Sequence, residues 1–248
     1  MPGLDWLTAR PLAHRGLHEA AAGVIENTAS AFAAAIAGGY GIECDLQISA
    51  DGEAMVHHDD ALGRLTEGSG RLADMSAAKL RQVRFKQTSD RILTLAELCA
   101  LVDGRTALAL ELKSRFDGDR RLTQRVAAVL ADYKGPAAAM SFDPAVVEAL
   151  RRIAPGLVRG IVAERHYAHG EWTRLPRSEK WRMAHFLHLP RTRPHFIAYA
   201  ARDLPATAPL LARAVLRLPL LTWTVRSRDE QRQALRFADQ IIFEGFRP

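Results

Sequence analysis

A chain of 248 residues that is 48% hydrophobic and 25% charged has the composition of an ordinary soluble protein and the length for one large α/β core. It contains no run of about 18 uncharged apolar residues, which excludes a predicted membrane-spanning helix, and its two cysteines, Cys44 and Cys99, fit neither a disulfide framework nor a zinc spacing. The net charge of +6 is uneven, with 12 Lys and Arg against 4 Asp and Glu between Arg151 and Arg213; no nucleic-acid-binding motif accompanies this excess, so no nucleic-acid partner is expected.

Short apolar runs alternate with helical patterns along the chain. The opening Met1-Pro2-Gly3-Leu4-Asp5-Trp6 lacks a basic stretch followed by an apolar one, so no signal peptide is expected and cytoplasmic location is the default. The first strand is expected over Pro11–His14. Thr28 or Ser30 can then cap a helix through Phe32 and Ile36, which Gly38-Gly39 stops. A second strand covers Gly41–Ile48. Ser49–Glu53 is too short for a crossover helix, and its Asp51-Gly52 is a hairpin-type turn into a third strand over Ala54–His58. The excursion from Ala61 to Arg91 holds Thr66-Glu67-Gly68-Ser69-Gly70 and a short helix capped by Ser76. It lacks the Gly-Lys-Ser/Thr ending of a phosphate-cradling loop and reads as a cover over the barrel mouth.

Thr94-Leu95-Ala96-Glu97 is a capping box that opens a helix ended by Gly104. Strands follow over Ala107–Lys113 and Ala138–Phe142, and Asp143-Pro144 sets a cap before a first-turn proline. Further strands are expected over Val158–Val162, His195–Tyr199, Leu220–Val225 and Gln240–Glu244, with a second capping box at Ser227-Arg228-Asp229-Glu230. Repeated β–α alternation argues for a parallel sheet, and closure into an α/β (β/α)8 TIM-type barrel fits the length and strand number. The barrel is expected to be distorted, with a hairpin in place of the helix between the second and third strands. No internal repeat or low-complexity linker divides the chain, so one domain over 1–248 is expected.

Residues able to do phosphoester chemistry recur on or just after these strands. Glu43 and Asp45 are two apart on one strand, so both point to one face, where two acids repel unless a cation or a proton lies between them. Glu111 would add a third carboxylate from another strand; Mg2+ and Ca2+ take such oxygen ligands. Lys113, on the same face as Glu111, would add a positive charge, and an interior Glu–Lys network without a metal is the competing reading. His14-Arg15 ends the first strand, with an arginine able to grip a phosphate and a histidine able to move a proton near neutral pH. Of the adjacent His57 and His58, only one can enter the barrel. Cys44, between two acids that point the other way, reads as a small buried apolar residue.

Taken together these segments resemble the glycerophosphodiester phosphodiesterase family over nearly the whole chain. Ala13-His14-Arg15-Gly16, then Glu26-Asn27-Thr28 and Ala31-Phe32, is similar to its opening motif, and Glu43-x-Asp45 with Asp51-Gly52 to its second. His58-Asp59-x-x-Leu62-x-Arg64-x-Thr66 is similar to its third, a register that selects His58 over His57. Glu111-x-Lys113, Ser141-Phe142 and Trp223-Thr224-Val225 complete the series in order. Two departures stand out: Ile25 replaces the proline usual before Glu-Asn, with extra residues after Gly16, and the family's closing Thr-Asp is replaced around Phe243-Glu244.

The resemblance implies hydrolysis of a glycerophosphodiester, a small-molecule substrate, to glycerol 3-phosphate and an alcohol. Glu43, Asp45 and Glu111 would hold Mg2+ or Ca2+, and Arg15 and Lys113 would bind phosphate oxygens. His14 and His58 would act as general acid and base, with water or the substrate's own glycerol hydroxyl as nucleophile. Phe142 and Trp223 would pack against the glycerol carbons, their competing reading being barrel core. Glu26 is placed beside the metal and Asn27 in a structural role at the loop; helix entry is the plainer reading of both. Two alternatives stand beside this: a phospholipase D-like activity on lysophospholipids, and a non-catalytic phosphate-binding protein, against which the two proton carriers weigh.

The basic stretch 165–195 interleaves Tyr167, Trp172, Trp181 and Phe186 with seven Lys and Arg residues. Its plain reading is a solvated helix with an Arg-rich outer face. Loose attraction to anionic lipid is the sharper one, against which His188 and Pro190 count, since they spoil and shorten any apolar helical stripe. The sequence does not address oligomeric state.

Overall fold

A computed structural model describes residues 3–168 and 170–248, and for Glu171 the backbone alone. It contains the strands β1 (Leu12–Ala13), β2 (Gly41–Ile48), β3 (Ala54–Val56), β4 (Leu108–Leu112), β5 (Ala137–Ser141), β6 (Val158–Ala163), β7 (Phe196–Ala200), β8 (Leu220–Val225) and β9 (Gln240–Phe243). All pairings but one are parallel, in the order β1-β9-β8-β7-β6-β5-β4-β2, and β1 also pairs with β2, so eight strands close into a TIM barrel. The hairpin expected after β2 is present: β3 runs antiparallel to β2, with Leu46 opposite Val56. A strand reversed in this way cannot continue a parallel wall, so β3 lies outside the barrel and β4 takes the next place beside β2. The helix Leu95–Val102 then packs on the outside before β4. No helix among the described residues is long and apolar enough to cross a membrane.

Side-chain alternation divides the strands into two layers. Ile42, Cys44 and Leu46 of β2 and Leu108, Leu110 and Leu112 of β4 point outward into a core shared with the helices. Leu12, Ala109, Ala138, Met140, Val162, Phe196, Leu221 and Ile242 fill the barrel interior together with Leu7, from the short helix Asp5–Thr8. The interior is tightly shared: a Cβ on Gly160 would lie 2.3 Å from the Phe196 ring. At β2, Glu43 and Asp45 occupy the inward positions between those outward apolar residues.

The helix caps follow the sequence with one correction. Thr28 accepts from Ala31 N, Asp143 from Ala145 N, and Thr94 and Glu97 form the reciprocal box. Ser227 accepts from Glu230 N, but the Glu230 carboxylate reaches Arg226 N at 2.7 Å instead of the cap's own N–H, so that box is not reciprocal. The excursion after β3 has a small core of its own, in which Leu62, Leu72, Leu80 and Phe85 pack on Ile25 and Met55.

The turn after β1 is held by close approach. Gly16 has φ +80°, and a Cβ there would lie 2.8 Å from Ala31 Cβ and 2.9 Å from Ala31 C, at the start of the helix Ala29–Ala37. Gly16→Ala meets both a left-handed backbone and a clash with main chain. It is expected to lower unfolding free energy by about 2–4 kcal/mol in urea titrations; a loss within experimental error would show that the turn can relax.

Candidate active site

The barrel register brings the chemical residues together. Leu12–Ala13 of β1 pairs with Gly41–Ile42 on one side and Ile242–Phe243 on the other. The next residue of each strand is therefore His14, Glu43 and Glu244, three neighbours at the C-terminal end of the barrel. On the other side of β2, Asp45 lies opposite Glu111 of β4, and Lys113 follows that strand with its N–H donating to Leu46 O at 3.0 Å. Functional groups in a TIM barrel belong at this end.

Glu43, Asp45 and Glu111 each offer a carboxylate oxygen within 4.8 Å of the others, and all three are buried. Lys113 Nζ lies 2.9 Å from Asp45 Oδ1 and 2.7 Å from Glu111 Oε1. Arg15 Nε stands 3.2 Å from Asp45 Oδ2, and Asn27 Nδ2 donates to the same oxygen at 2.9 Å while Asn27 Oδ1 accepts from Asp45 N. Burial works against the Asp45 charge, but Lys113 and Arg15 outweigh it and hold the carboxyl well below the usual range. Burial also disfavours the Lys113 ammonium, which Asp45 and Glu111 keep charged. Glu43 lacks a comparable partner; burial, then the charges of Asp45 and Glu111, push its pKa well up. Three carboxyl groups thus face two cations, and Glu43 is the one whose charge is least compensated. A hard divalent cation fits this donor set: the ligands are all oxygen, and their spread suits oxygen distances of about 2.0–2.6 Å.

His14 Nδ1 lies 2.5 Å from Glu244 Oε2, and its Nε2 lies 3.9 Å from Glu43 Oε2. Burial lowers the His14 pKa, opposed by the bond to Glu244. The other Glu244 oxygen meets Arg226 Nη2 at 2.7 Å. His58 Nδ1 meets Asp59 Oδ1 at 2.8 Å, and His58 lines the pocket with His14. His57 is buried away from it, its Nδ1 3.0 Å from Asp59 O. Each pocket histidine is therefore anchored through Nδ1 to a carboxylate, which leaves Nε2 for a ligand.

Glu26 is tied to the acid cluster through Arg15. Its carboxylate is gripped by Arg15 Nη1 at 2.7 Å and Arg64 Nη2 at 2.6 Å and does not join the acid cluster. Arg64 also holds Asp59 at 2.6 Å, so a chain of charges runs from His58 through Asp59, Arg64 and Glu26 to Arg15. Arg15 itself has φ +56°, a left-handed backbone that its N–H contact to Glu43 Oε2 at 3.1 Å helps to hold.

The pocket is a cavity of about 260 Å³ that His14, Arg15, Glu43, His58, Glu111 and Lys113 share with Phe142, Trp172, Trp223, Glu164 and Arg226. The Phe142 ring lies 4.7 Å from Trp172 and 5.5 Å from Trp223, and Trp223 Nε1 donates to Ala198 O at 3.1 Å. Trp172, Glu164, Arg226 and Glu244 are pocket or near-pocket residues that the motifs did not single out. Glu244 could have been found from register alone, as the residue after β9 beside the residue after β1.

Comparison with known proteins now decides the family. The model of the glycerophosphoryl diester phosphodiesterase family matches residues 14–243. The chain belongs to this family. A glycerophosphodiester phosphodiesterase of Caldanaerobacter subterraneus subsp. tengcongensis is 29% identical over 161 residues, covering 61% of this chain and 65% of that protein. A probable glycerophosphodiester phosphodiesterase 1 of Mycobacterium tuberculosis is 30% identical over 168 residues, covering 58% and 60%. The chain thus spans less than two thirds of the length of these curated relatives. Among solved structures, an Oleispira antarctica phosphodiesterase in complex with the product sn-glycerol-3-phosphate is similar with a TM-score of 0.76 at 19% identity, covering 97% of this chain and 95% of that one. A glycerophosphodiester phosphodiesterase of Thermotoga maritima gives 0.70 at 23% identity, covering 94% and 92%. At such identities the likeness is one of fold, and it is the barrel of this family.

The ion network sets a stability expectation. Lys113→Met leaves Asp45 and Glu111 without their shared ammonium. In EDTA it should cost about 3–5 kcal/mol of unfolding free energy, the size typical of a buried pair broken on one side. A variant as stable as the parent in urea would mean that Lys113 does not balance these acids.

Proposed function

We propose that residues 1–248 act as one barrel unit that hydrolyses glycerophosphodiesters to glycerol 3-phosphate and an alcohol. The observation that carries this reading is one pocket lined by Glu43, Glu111, Arg15, Lys113 and the two carboxylate-anchored histidines His14 and His58, with Asp45 buried beside it. The family membership supports the substrate class, and the Oleispira antarctica structure holds sn-glycerol-3-phosphate. The free, buried Cys44 and Cys99 are in keeping with a reducing, cytoplasmic setting.

Arg15 and Lys113 bind the non-bridging phosphate oxygens. Arg15 lines the pocket with its guanidinium oriented by Glu26 and Asp45. Phe142 and Trp223 form an apolar wall for the glycerol carbons. One of His14 and His58 takes the proton of the nucleophile at Nε2, and the other gives a proton to the leaving oxygen. Glu244 and Asp59 fix the two rings, and Asn27 and Glu26 hold Asp45 and Arg15 in place. Glu43, Asp45 and Glu111 would hold Mg2+ or Ca2+, whose charge, when bound, offsets that on the phosphoryl oxygens. The cavity of about 260 Å³ suits a glycerol phosphate with a compact alcohol better than a substrate carrying an acyl chain.

A panel of glycerophosphodiesters and lysophospholipids, assayed with and without chelator, tests the proposal. Turnover of small diesters should vanish in EDTA and return with Mg2+ or Ca2+; full activity after exhaustive chelation would remove the metal from the mechanism. Either ion should also raise the melting temperature of the parent protein, and much less that of Glu43→Gln, because binding to the folded state alone stabilises it.

The histidines make a separate expectation. His14→Ala and His58→Ala should each lower kcat by about 10²–10⁴ while remaining folded, and His57→Ala should do far less. A dispensable His58 with an essential His57 would reverse the assignment.

A further inference from the structure

The basic stretch between β6 and β7 divides its aromatic residues unequally. Tyr167, Trp172 and Phe186 are buried, at 1%, 6% and 5% exposure, whereas Trp181 is 56% exposed and Leu187 is 53% exposed. Trp181 lies on the helix Arg177–Ala184, whose buried contact is Met183. At 3.6 residues per turn the opposite side carries Arg177, Trp181 and His185, flanked by Ser178 and Arg182. All five are exposed, and the Trp181 and His185 rings stack at 4.6 Å. Arg174 and Arg193, at either end of the stretch, are exposed as well. Isolated surface Leu or Trp residues need no explanation. Here, however, two large apolar side chains stand outward within six residues of each other, among outward arginines, in the part of the chain with the strongest positive excess.

We infer that this face docks the barrel on an anionic lipid surface. An indole beside arginines suits the boundary between headgroups and acyl chains, where the ring is partly buried and the guanidinium groups meet lipid phosphates. The helix is too short and too polar to insert on its own, so charge provides the attraction and Trp181 and Leu187 provide shallow anchors. The stretch leaves the C-terminal end of β6, and its Trp172 forms part of the pocket wall. The inference does not depend on which diester the pocket cleaves.

Co-sedimentation of the full chain with vesicles tests it, with phosphatidylcholine alone against an equal mixture of phosphatidylcholine and phosphatidylglycerol at low salt. Binding should occur to the mixed vesicles and not to phosphatidylcholine, and brominated acyl chains should quench a fluorescence component that Trp181→Phe removes. Trp181→Ala with Leu187→Ala, and separately Arg177→Ala with Arg182→Ala, should each weaken binding by roughly tenfold or more. All four side chains are exposed, and an unchanged melting temperature shows that the variants are folded. No sedimentation with the mixed vesicles overturns the inference, as does equal binding to neutral vesicles. Full binding by the Trp181→Ala, Leu187→Ala protein overturns it too and moves the contact elsewhere, for instance to the helix Thr207–Leu216, where Leu211 and Val215 are exposed. Displacement of the protein by duplex DNA of equal charge, without any Trp181 quenching, would make the face a general polyanion site and not a lipid one.

Discussion

Asp45 keeps its charge inside the barrel wall because Lys113 and Arg15 stand on either side of it and Asn27 fills its remaining hydrogen-bonding positions. An unpaired carboxylate at that depth would carry a penalty of several kcal/mol. The need to compensate it fixes much of what surrounds it. Lys113 must leave β4 on the inward side, Arg15 must turn back from β1, and Asn27 must approach from the loop before the helix Ala29–Ala37. The left-handed backbone at Arg15 and Asn27, with φ of +56° and +58°, is part of the cost of that convergence. Asp45 thus organises Arg15 and Lys113 around itself, while Glu43, with fewer partners, is the acid most in need of a cation.

From Arg15 the charge network continues outward through Glu26 to Arg64 and Asp59. Arg64 belongs to the excursion after β3, which carries its own small core. The excursion is therefore more than a cover: it sets the position of His58 through Asp59 and of Arg15 through Glu26. A packing change in that satellite core has a direct route to both His58 and Arg15 in the pocket.

Much of this was legible in the sequence wherever chemistry and periodicity act over short range. The outward Ile42, Cys44 and Leu46 announced a strand that would bring Glu43 and Asp45 to one face, and the caps at Thr28, Thr94 and Asp143 marked helix starts. Asp51-Gly52 gave the hairpin that keeps β3 out of the barrel. Pairings across the closed barrel were illegible, because nothing local records them. Glu244 stands in the sequence only as a departure at a strand end until β9 is set beside β1, and Glu26 looks like a helix-entry residue until Arg64 arrives from another segment. Trp172 and Trp181 look alike in a list of residues; only packing against Phe142 separates the buried one from the exposed one.

The seam of the barrel is short. β1 contributes two residues, and the pair that orients the His14 ring is formed with Glu244, 230 positions away. Every other wall of the barrel can in principle assemble as the chain emerges, but this contact waits for the last strand. A protein still on the ribosome would hold its acids and arginines with one imidazole unanchored, and a chain cut before residue 240 would stay in that condition. The His14–Glu244 pair thus reports closure of the barrel, since the imidazole is held only where β9 has reached β1.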